Sequence, residues 1–547
     1  MSAQTESLVK QMSLEEKAGQ MIYAGVLEDD THWPNEETMR IIQQGLVGAA
    51  RIYGTRKDPY FCTAFMNQLQ RWASGTKHQV PLLLGADLEV GASAICAQDT
   101  TTFAHQMAIG DTQSVDLADQ ISRAIARESL AIGLHMNHRP VADVNTNPRS
   151  PAVGIRSYSS DTERVCELVA AAVRSATSEG LLAIPKHFPG HGETDQDSHL
   201  ALPTISCDQQ TFRKLHLKPF QHALQAGAAG VMTAHLIVTA FDKELPATLS
   251  PRIMDGLLRS EMGFDGLIIT DSMNMRGITS SFSTGDATLK AVVAGVDLVL
   301  SIGTLEAHLE RREALVRAVR DKVLAEARID KSVRRILSAK ERVGLFQNTR
   351  PDPLRSIRVC GCTAHRKLAR QSYLTAIKVR EDHDRVLPLK KTSTVLVTGT
   401  AGVDNLGRAL SRVHPRMITY ALPSSPATGW RNTAWEDVDA PMRNLARLKE
   451  TAKQWQPTRD ELAVLERLTH QCDIVVALIS GSGNAVSAGQ AHLLESLARQ
   501  GRTPIVITLG MPSAANLPAC AAYLAMHVRQ LLPEIAEALA EVLVGAQ

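Results

Sequence analysis

A chain of 547 residues, 44% apolar and 21% charged, has ample material for burial and exceeds what one hydrophobic core usually supports. This composition excludes a disordered chain and predicts two α/β domains. The formal net charge of +2, without a long single-sign run, gives no footprint for nucleic acid or an anionic membrane, so neither is expected as a partner.

Residues 1–22 lack the basic and apolar regions of a secretory signal, and no run reaches the length of a membrane span. The eight cysteines are scattered, which favours reduced thiols in a cytoplasmic protein. Cys360 and Cys362, the one close pair, lack the second Cys/His pair that zinc needs, so no metal is expected. Ser13 and Glu16 have capping-box spacing and predict a helix almost at the start of the chain.

Short apolar runs then alternate with helical patterns. Strands are predicted near Met21–Ala24, Gly48–Ile52, Pro81–Ala86, Leu134–Asn137, Leu182–Lys186, Gly230–Ala234, Gly266–Thr270 and Val296–Ser301. Eight such units predict a TIM-type (β/α)8 barrel. Asp87 and Glu89, Asp143 and Asn145, Lys186 and His187, His235, and Asp271 all follow predicted strand ends, the face on which barrel active sites sit. Loops are polar in any α/β protein, so each residue alone says little; five clusters together say more.

Leu305 to Leu345 reads as helical, and the pattern then breaks. Residues 1–346 are expected as the barrel, 347–370 as a linker marked by Pro351 and Pro353, and 371–547 as a smaller αβα domain. Strands in the latter are predicted at Thr394–Thr398, Asp473–Ile479 and Pro504–Leu509. Gly399 to Gly402 and Gly481-Ser482-Gly483 match neither a P-loop nor the dinucleotide spacing, so they read as strand-to-helix turns and no cofactor is expected.

The densest chemistry lies in KHFPGHGETDQDSHLALP, residues 186–203, where Pro189, Gly190 and Gly192 predict a tight irregular loop. Asp197 stands two residues before His199, a spacing at which a carboxylate can fix an imidazole tautomer for acid/base work. A histidine satisfied by loop carbonyls is the plainer alternative. His187, His191 and His199 lie close together, but their spacing matches no zinc signature. Asp271, after the apolar run GFDGLIIT, reads equally as a nucleophile at a strand end or as a helix N-cap.

The same segment resembles the signature of the β-N-acetylglucosaminidase branch of family 3 glycoside hydrolases. MNHRPVADVNTNPRSPAVGIRSYSSD (136–161) and TAHLIVTAFDKELPATLSPRIMDGLLRSEMGFDGLIITDSM (233–273) are similar to other segments of that family, and the resemblance runs from Ser13 to Phe346. REDHDRVLPL (380–389) resembles the start of the family's second domain.

The resemblance implies a retaining exo-enzyme for terminal β-linked GlcNAc without a cofactor, acting on a small carbohydrate such as a peptidoglycan fragment or a short chitooligosaccharide. It implies Asp271 as nucleophile, His199 with Asp197 as acid/base, and Asp87, Arg156, Lys186 and His187 as sugar contacts. The family's Asp-x-Glu-Gly-Gly-Arg appears here as Asp87-Leu88-Glu89-Val90-Gly91-Ala92-Ser93, which lacks one glycine and the arginine. Two other activities fit the same residues: phosphorolysis, because a histidine repels phosphate less than a carboxylate does, and sugar binding without catalysis.

Overall fold

The computed structural model describes residues 2–54, 56–148, 150–198, 201–347, 350–423, 455–481, 486–500, 503–510, 520–527 and 531–545. They form two compact units, one holding residues 2–102 and 114–366, the other residues 103–113 and those described from 367 onward.

The first unit is α/β with parallel sheets. Its strands are β1 (Ile22–Gly25), β2 (Ala49–Arg51), β3 (Leu83–Ala86), β4 (Met136–Asn137), β5 (Leu182–Ala183), β6 (Lys186–Phe188), β7 (Thr204–Ile205), β8 (Gly230–Thr233), β9 (Ile237–Val238), β10 (Leu267–Ile269) and β11 (Val299–Ser301). One sheet runs β11-β1-β2-β3-β4-β5, a second runs β10-β8-β6, and β7 pairs with β9. Apart from β7 and β9 these strands are buried throughout, which is why they read as continuous apolar runs rather than alternating ones.

The predicted fifth strand spans β5 and β6, interrupted at Pro185, which has no N–H to donate. Backbone bonds continue across the break: Lys186 N donates to Pro140 O at 3.1 Å, and Met232 N donates to Pro185 O at 3.0 Å. At the other end of the second sheet, Thr270 N donates to Leu298 O at 3.0 Å.

Helices cover the strands because their apolar positions recur every three to four residues. Thr162–Ser178 buries Val165, Leu168, Val169, Ala172, Val173 and Ala176, and packs on Val115–Ala131. The predicted capping box is present: Ser13 Oγ accepts from Glu16 N at 3.2 Å, and Ser13 N donates to Glu16 Oε2 at 2.7 Å.

The segment expected as a linker contains two helices, Pro353–Val359 and Thr363–Ala376. A buried carboxylate anchors the turn between them. Glu128, fully enclosed, needs partners and takes Gly361 N at 2.9 Å and His365 Nδ1 at 2.7 Å, together with Thr101. Pro353 occupies the first turn of its helix, where a missing N–H costs nothing.

The second unit contains β12 (Ile377–Asp382), β13 (Val395–Gly399), β14 (Met417–Ala421), β15 (Ile474–Gly481), β16 (Ile505–Gly510) and β17 (Ala522–Met526). Their order is β12-β17-β16-β15-β13-β14, with β12 the antiparallel edge. Gly402 adopts left-handed φ at the start of helix Val403–Ser411, a strand-to-helix turn as its sequence predicts. Residues 482–485, which include the rest of the second glycine motif, lie outside the described residues.

Asp297 ties the first unit together near β10 and β11. Fully buried, it accepts from Ile268 N at 3.0 Å, Ser332 Oγ at 2.6 Å and Arg259 Nη2 at 2.5 Å. Asp297→Ala would leave those donors without their acceptor and is expected to cost about 3–5 kcal/mol. A urea-unfolding midpoint equal to that of the unmodified protein would contradict this role.

Candidate active site

Lys186, at the start of β6, is 1% exposed, and a buried ammonium requires acceptors. It has two. Nζ donates to Asp87 Oδ1 at 2.8 Å and lies 2.7 Å from Glu89 Oε1. Glu89 also receives Arg156, with Nε 2.9 Å from Oε2 and Nη2 2.6 Å from Oε1, the planar fork that suits a carboxylate. Arg156 Nη1 then donates to Ala152 O at 2.6 Å, which fixes the 152–156 turn beneath it.

Asp87 follows β3. Its Oδ2 accepts from Arg51 of β2, while His138 Nδ1 stands 3.1 Å from Oδ1 and Arg51 also reaches that nitrogen. Enclosure works against charge on Asp87, but Arg51 and Lys186, with His138, hold the carboxyl well below its usual range. Enclosure opposes charge on Glu89 too, and Arg156 and Lys186 outweigh it in the same direction. Asp87 keeps 40% of its side-chain surface open, so it can still accept a ligand hydroxyl.

His187 belongs to a second group. The register between β6 and β8 shifts at this residue, so Lys186 and His187, adjacent in sequence, both reach carboxylates. Asp143, fully buried, lies 2.7 Å from His187 Nδ1 and accepts from His191 N at 2.7 Å. His191 Nδ1 meets Thr194 Oγ1 at 2.8 Å, and its Nε2 meets Ser198 Oγ at 3.1 Å. Burial, then the neighbouring His187, lowers the His191 pKa to about 4.

The loop's glycines follow from its path. Gly190 has φ of 133°, and a Cβ on Gly192 would sit 1.7 Å from Val144 O, so backbone packs where a side chain cannot fit.

Asp271 follows β10 and is partly exposed. Its Oδ1 accepts from Ser272 N at 2.7 Å, and the next helix, Arg276–Thr279, is capped at Met275, so the N-cap reading does not hold. His235 donates from Nε2 to Ser272 O at 3.0 Å, with Thr248 Oγ1 2.8 Å from its other nitrogen. Tyr53 packs against Arg51. Burial, with Asp87 and Asp271, pushes its phenol up to about 12 against the opposing pull of Arg51, which lies 4.7 Å over its ring.

Asp197 is 9% exposed in the loop after His191. Ser198 O accepts from Gly277 N at 3.2 Å, which docks this loop on the segment following Asp271. His199 lies outside the described residues, so its pairing with Asp197 stays an expectation from sequence.

The comparisons with known proteins bear on this arrangement. The description "Glycosyl hydrolase family 3 N terminal domain" matches residues 13–339, more than half of the chain. The chain belongs to glycosyl hydrolase family 3.

It is similar to beta-hexosaminidase A of Pseudoalteromonas piscicida, 33% identical over 387 residues, 66% of this chain and 63% of that protein. A beta-hexosaminidase of Pseudomonas aeruginosa is 34% identical over 223 residues, 40% of this chain and 65% of that protein. The chain thus spans less than two thirds of the length of these curated relatives. Among solved structures, a glycoside hydrolase family 3 beta-N-acetylglucosaminidase from Paenibacillus sp. str. FPU-7 matches with a TM-score of 0.81 at 29% identity, over 98% of this chain and 97% of that one.

Within this family 3 chain, the structure brings Asp87, Arg156 and Lys186 into one array with Glu89, and holds His187 on Asp143. Sequence reasoning gave no role to Glu89, Arg51, Tyr53, His138 or Asp143. The signal for Arg51 was a single charge inside the apolar run AARIY, which strand patterning cannot distinguish from an edge position. The altered 87–93 loop leaves Asp87 with full charge compensation, supplied from β2 and β6.

His138 and His191 are both lowered to about 4, chiefly by burial. Their neutral forms belong to the folded state, so stability present above the ordinary histidine pKa of about 6.5 is lost as pH falls toward 4. Melting temperature is therefore expected to decline across that window. A flat profile between pH 6.5 and 4 would contradict burial of the neutral rings.

Proposed function

We propose that this chain is a retaining exo-β-N-acetylglucosaminidase that removes terminal β-linked GlcNAc, with peptidoglycan fragments as its preferred substrate class and the cytoplasm as its place of action. One observation carries the reading: the sugar-contact candidates Asp87, Arg156 and Lys186 converge, with Glu89, in one ion-pair array at the ends of parallel strands. The names of the similar proteins, beta-hexosaminidase and beta-N-acetylglucosaminidase, support the choice of sugar.

The two parallel sheets, joined through residues 182–188 and 298, are read as a closed (β/α)8 barrel, with residues 1–346 catalytic and 371–547 a supporting αβα domain. Among the described residues no helix is long and apolar enough to cross a membrane.

In this mechanism Asp271 attacks the anomeric carbon and forms the glycosyl-enzyme, while His199, oriented by Asp197, protonates the departing oxygen. The same imidazole then takes a proton from water, whose oxygen attacks the anomeric carbon and releases Asp271. Lys186 and Arg156 act through Asp87 and Glu89, which present fixed acceptors to the sugar hydroxyls, and His187, its ring held by Asp143, offers Nε2. Contacts of this kind lower the barrier where they strengthen in the transition state.

The test is a panel of β-GlcNAc glycosides assayed with and without phosphate. Free GlcNAc is the expected product, and N-acetylglucosamine 1-phosphate as main product would replace hydrolysis by phosphorolysis. Asp271→Asn is expected to lower kcat at least about a thousandfold, on the order of 4 kcal/mol in the barrier. Unchanged turnover would rule out its role as nucleophile. His199→Gln is expected to lose more activity on alkyl than on activated aryl glycosides, since only the former need a proton on the leaving oxygen; equal losses would argue against acid catalysis by His199.

A further inference from the structure

Asp87 is held by groups from several elements, and one of them is a cation inside an otherwise apolar strand. Arg51 is the last residue of β2 and is only 6% exposed. Its guanidinium reaches Asp87 Oδ2 and His138 Nδ1, and lies 4.7 Å over the Tyr53 ring. Tyr23 of β1 closes the far side of this group, with its hydroxyl 3.0 Å from His138 Nε2. Gly85 makes room for that contact, because a Cβ there would stand 2.3 Å from the Tyr23 hydroxyl and 3.3 Å from His138 Nε2.

The groups facing Asp87 are therefore Tyr23 from β1, Arg51 from β2, Tyr53 beyond it, Glu89 on its own loop, His138 after β4, Arg156 through Glu89, and Lys186 from β6. Lys186 is shared between two carboxylates, whereas Arg51 has Asp87 as its one carboxylate partner among the described residues.

We propose that Arg51 is a positioning residue for substrate affinity, which orients the Asp87 carboxylate and keeps it ionised so that it presents a fixed acceptor to the sugar. This inference rests on the reading of Asp87 as a sugar contact. Arg51 takes Oδ2 while Lys186 takes Oδ1, so the carboxylate is held from both sides, and its open surface faces the ligand in one orientation. A lysine cannot reproduce the arrangement, because a single ammonium lacks the planar fork that spans Asp87 and His138. With the cation removed, Asp87 keeps only Lys186, which it shares with Glu89, and takes up a proton at higher pH.

The test uses the full chain, a chromogenic β-GlcNAc glycoside, and melting temperature as the check on folding. Arg51→Met is expected to raise KM about tenfold, the scale of one charge-assisted hydrogen bond, with kcat within about threefold. The acid limb of kcat/KM is expected to move toward higher pH. Arg51→Lys should return the limb toward its original position while KM stays raised. The Arg51→Met/Asp87→Asn double variant should be no weaker than Asp87→Asn alone, since Arg51 acts through that carboxylate.

Wild-type KM and acid limb in folded Arg51→Met, or losses that add in the double variant, would overturn the proposal. If Arg51→Met does not fold, Arg51→Lys decides: a raised KM supports the inference and an unchanged KM overturns it. Asp87→Asn with wild-type KM would instead remove the sugar-contact reading itself, whatever Arg51 does.

Discussion

The constraint on which the site depends is a buried ammonium. Lys186 is enclosed almost completely, and its charge is tolerable only because Asp87 and Glu89 lie within 2.8 Å on either side. Each carboxylate then takes an arginine of its own, Arg51 for Asp87 and Arg156 for Glu89, so that no charge in the row lacks an opposite neighbour. The row is continuous from the second strand to the loop after the fourth. The ion pairs tie the strand ends to one another.

Around this row, the 186–203 segment is shaped by where its polar atoms can be satisfied. Asp143 collects His187 and His191, and the hydroxyls of Thr194 and Ser198 complete His191, so the middle of the segment folds back on the strand ends. Gly192 permits this because the backbone of Val144 fills the space a side chain would need. The loop then passes over Gly277, close in sequence to Asp271. Two histidines of one motif are thus held differently: His187 is turned by a carboxylate, and His191 is held by hydroxyls.

Much of this was legible in the chain. Parallel strands buried on both faces read as apolar runs, and the polar residues at their ends make Asp87, Lys186, His187 and Asp271 candidates. Arg51 was not among them. A charge within AARIY looks like a solvent-facing strand position, and only its partners, which come from other strands, reveal that it points inward. In the 347–370 segment, the contact of the buried Glu128 with Gly361 and His365 is likewise long-range and has no local signature.

By itself, then, the sequence determined the α/β class, the main parallel strands of the first unit, the capping box at Ser13 and the motif that places the chain near family 3 glycoside hydrolases. These are local properties, written in periodicity, turn chemistry and short-range spacing. The tertiary structure decided which charges face one another: that Lys186 is shared, that Arg156 reads Glu89, and that Arg51 turns inward to Asp87. Ion pairing depends on distance in space, and parallel strands bring together residues far apart in sequence, so no pattern along the chain records those partnerships.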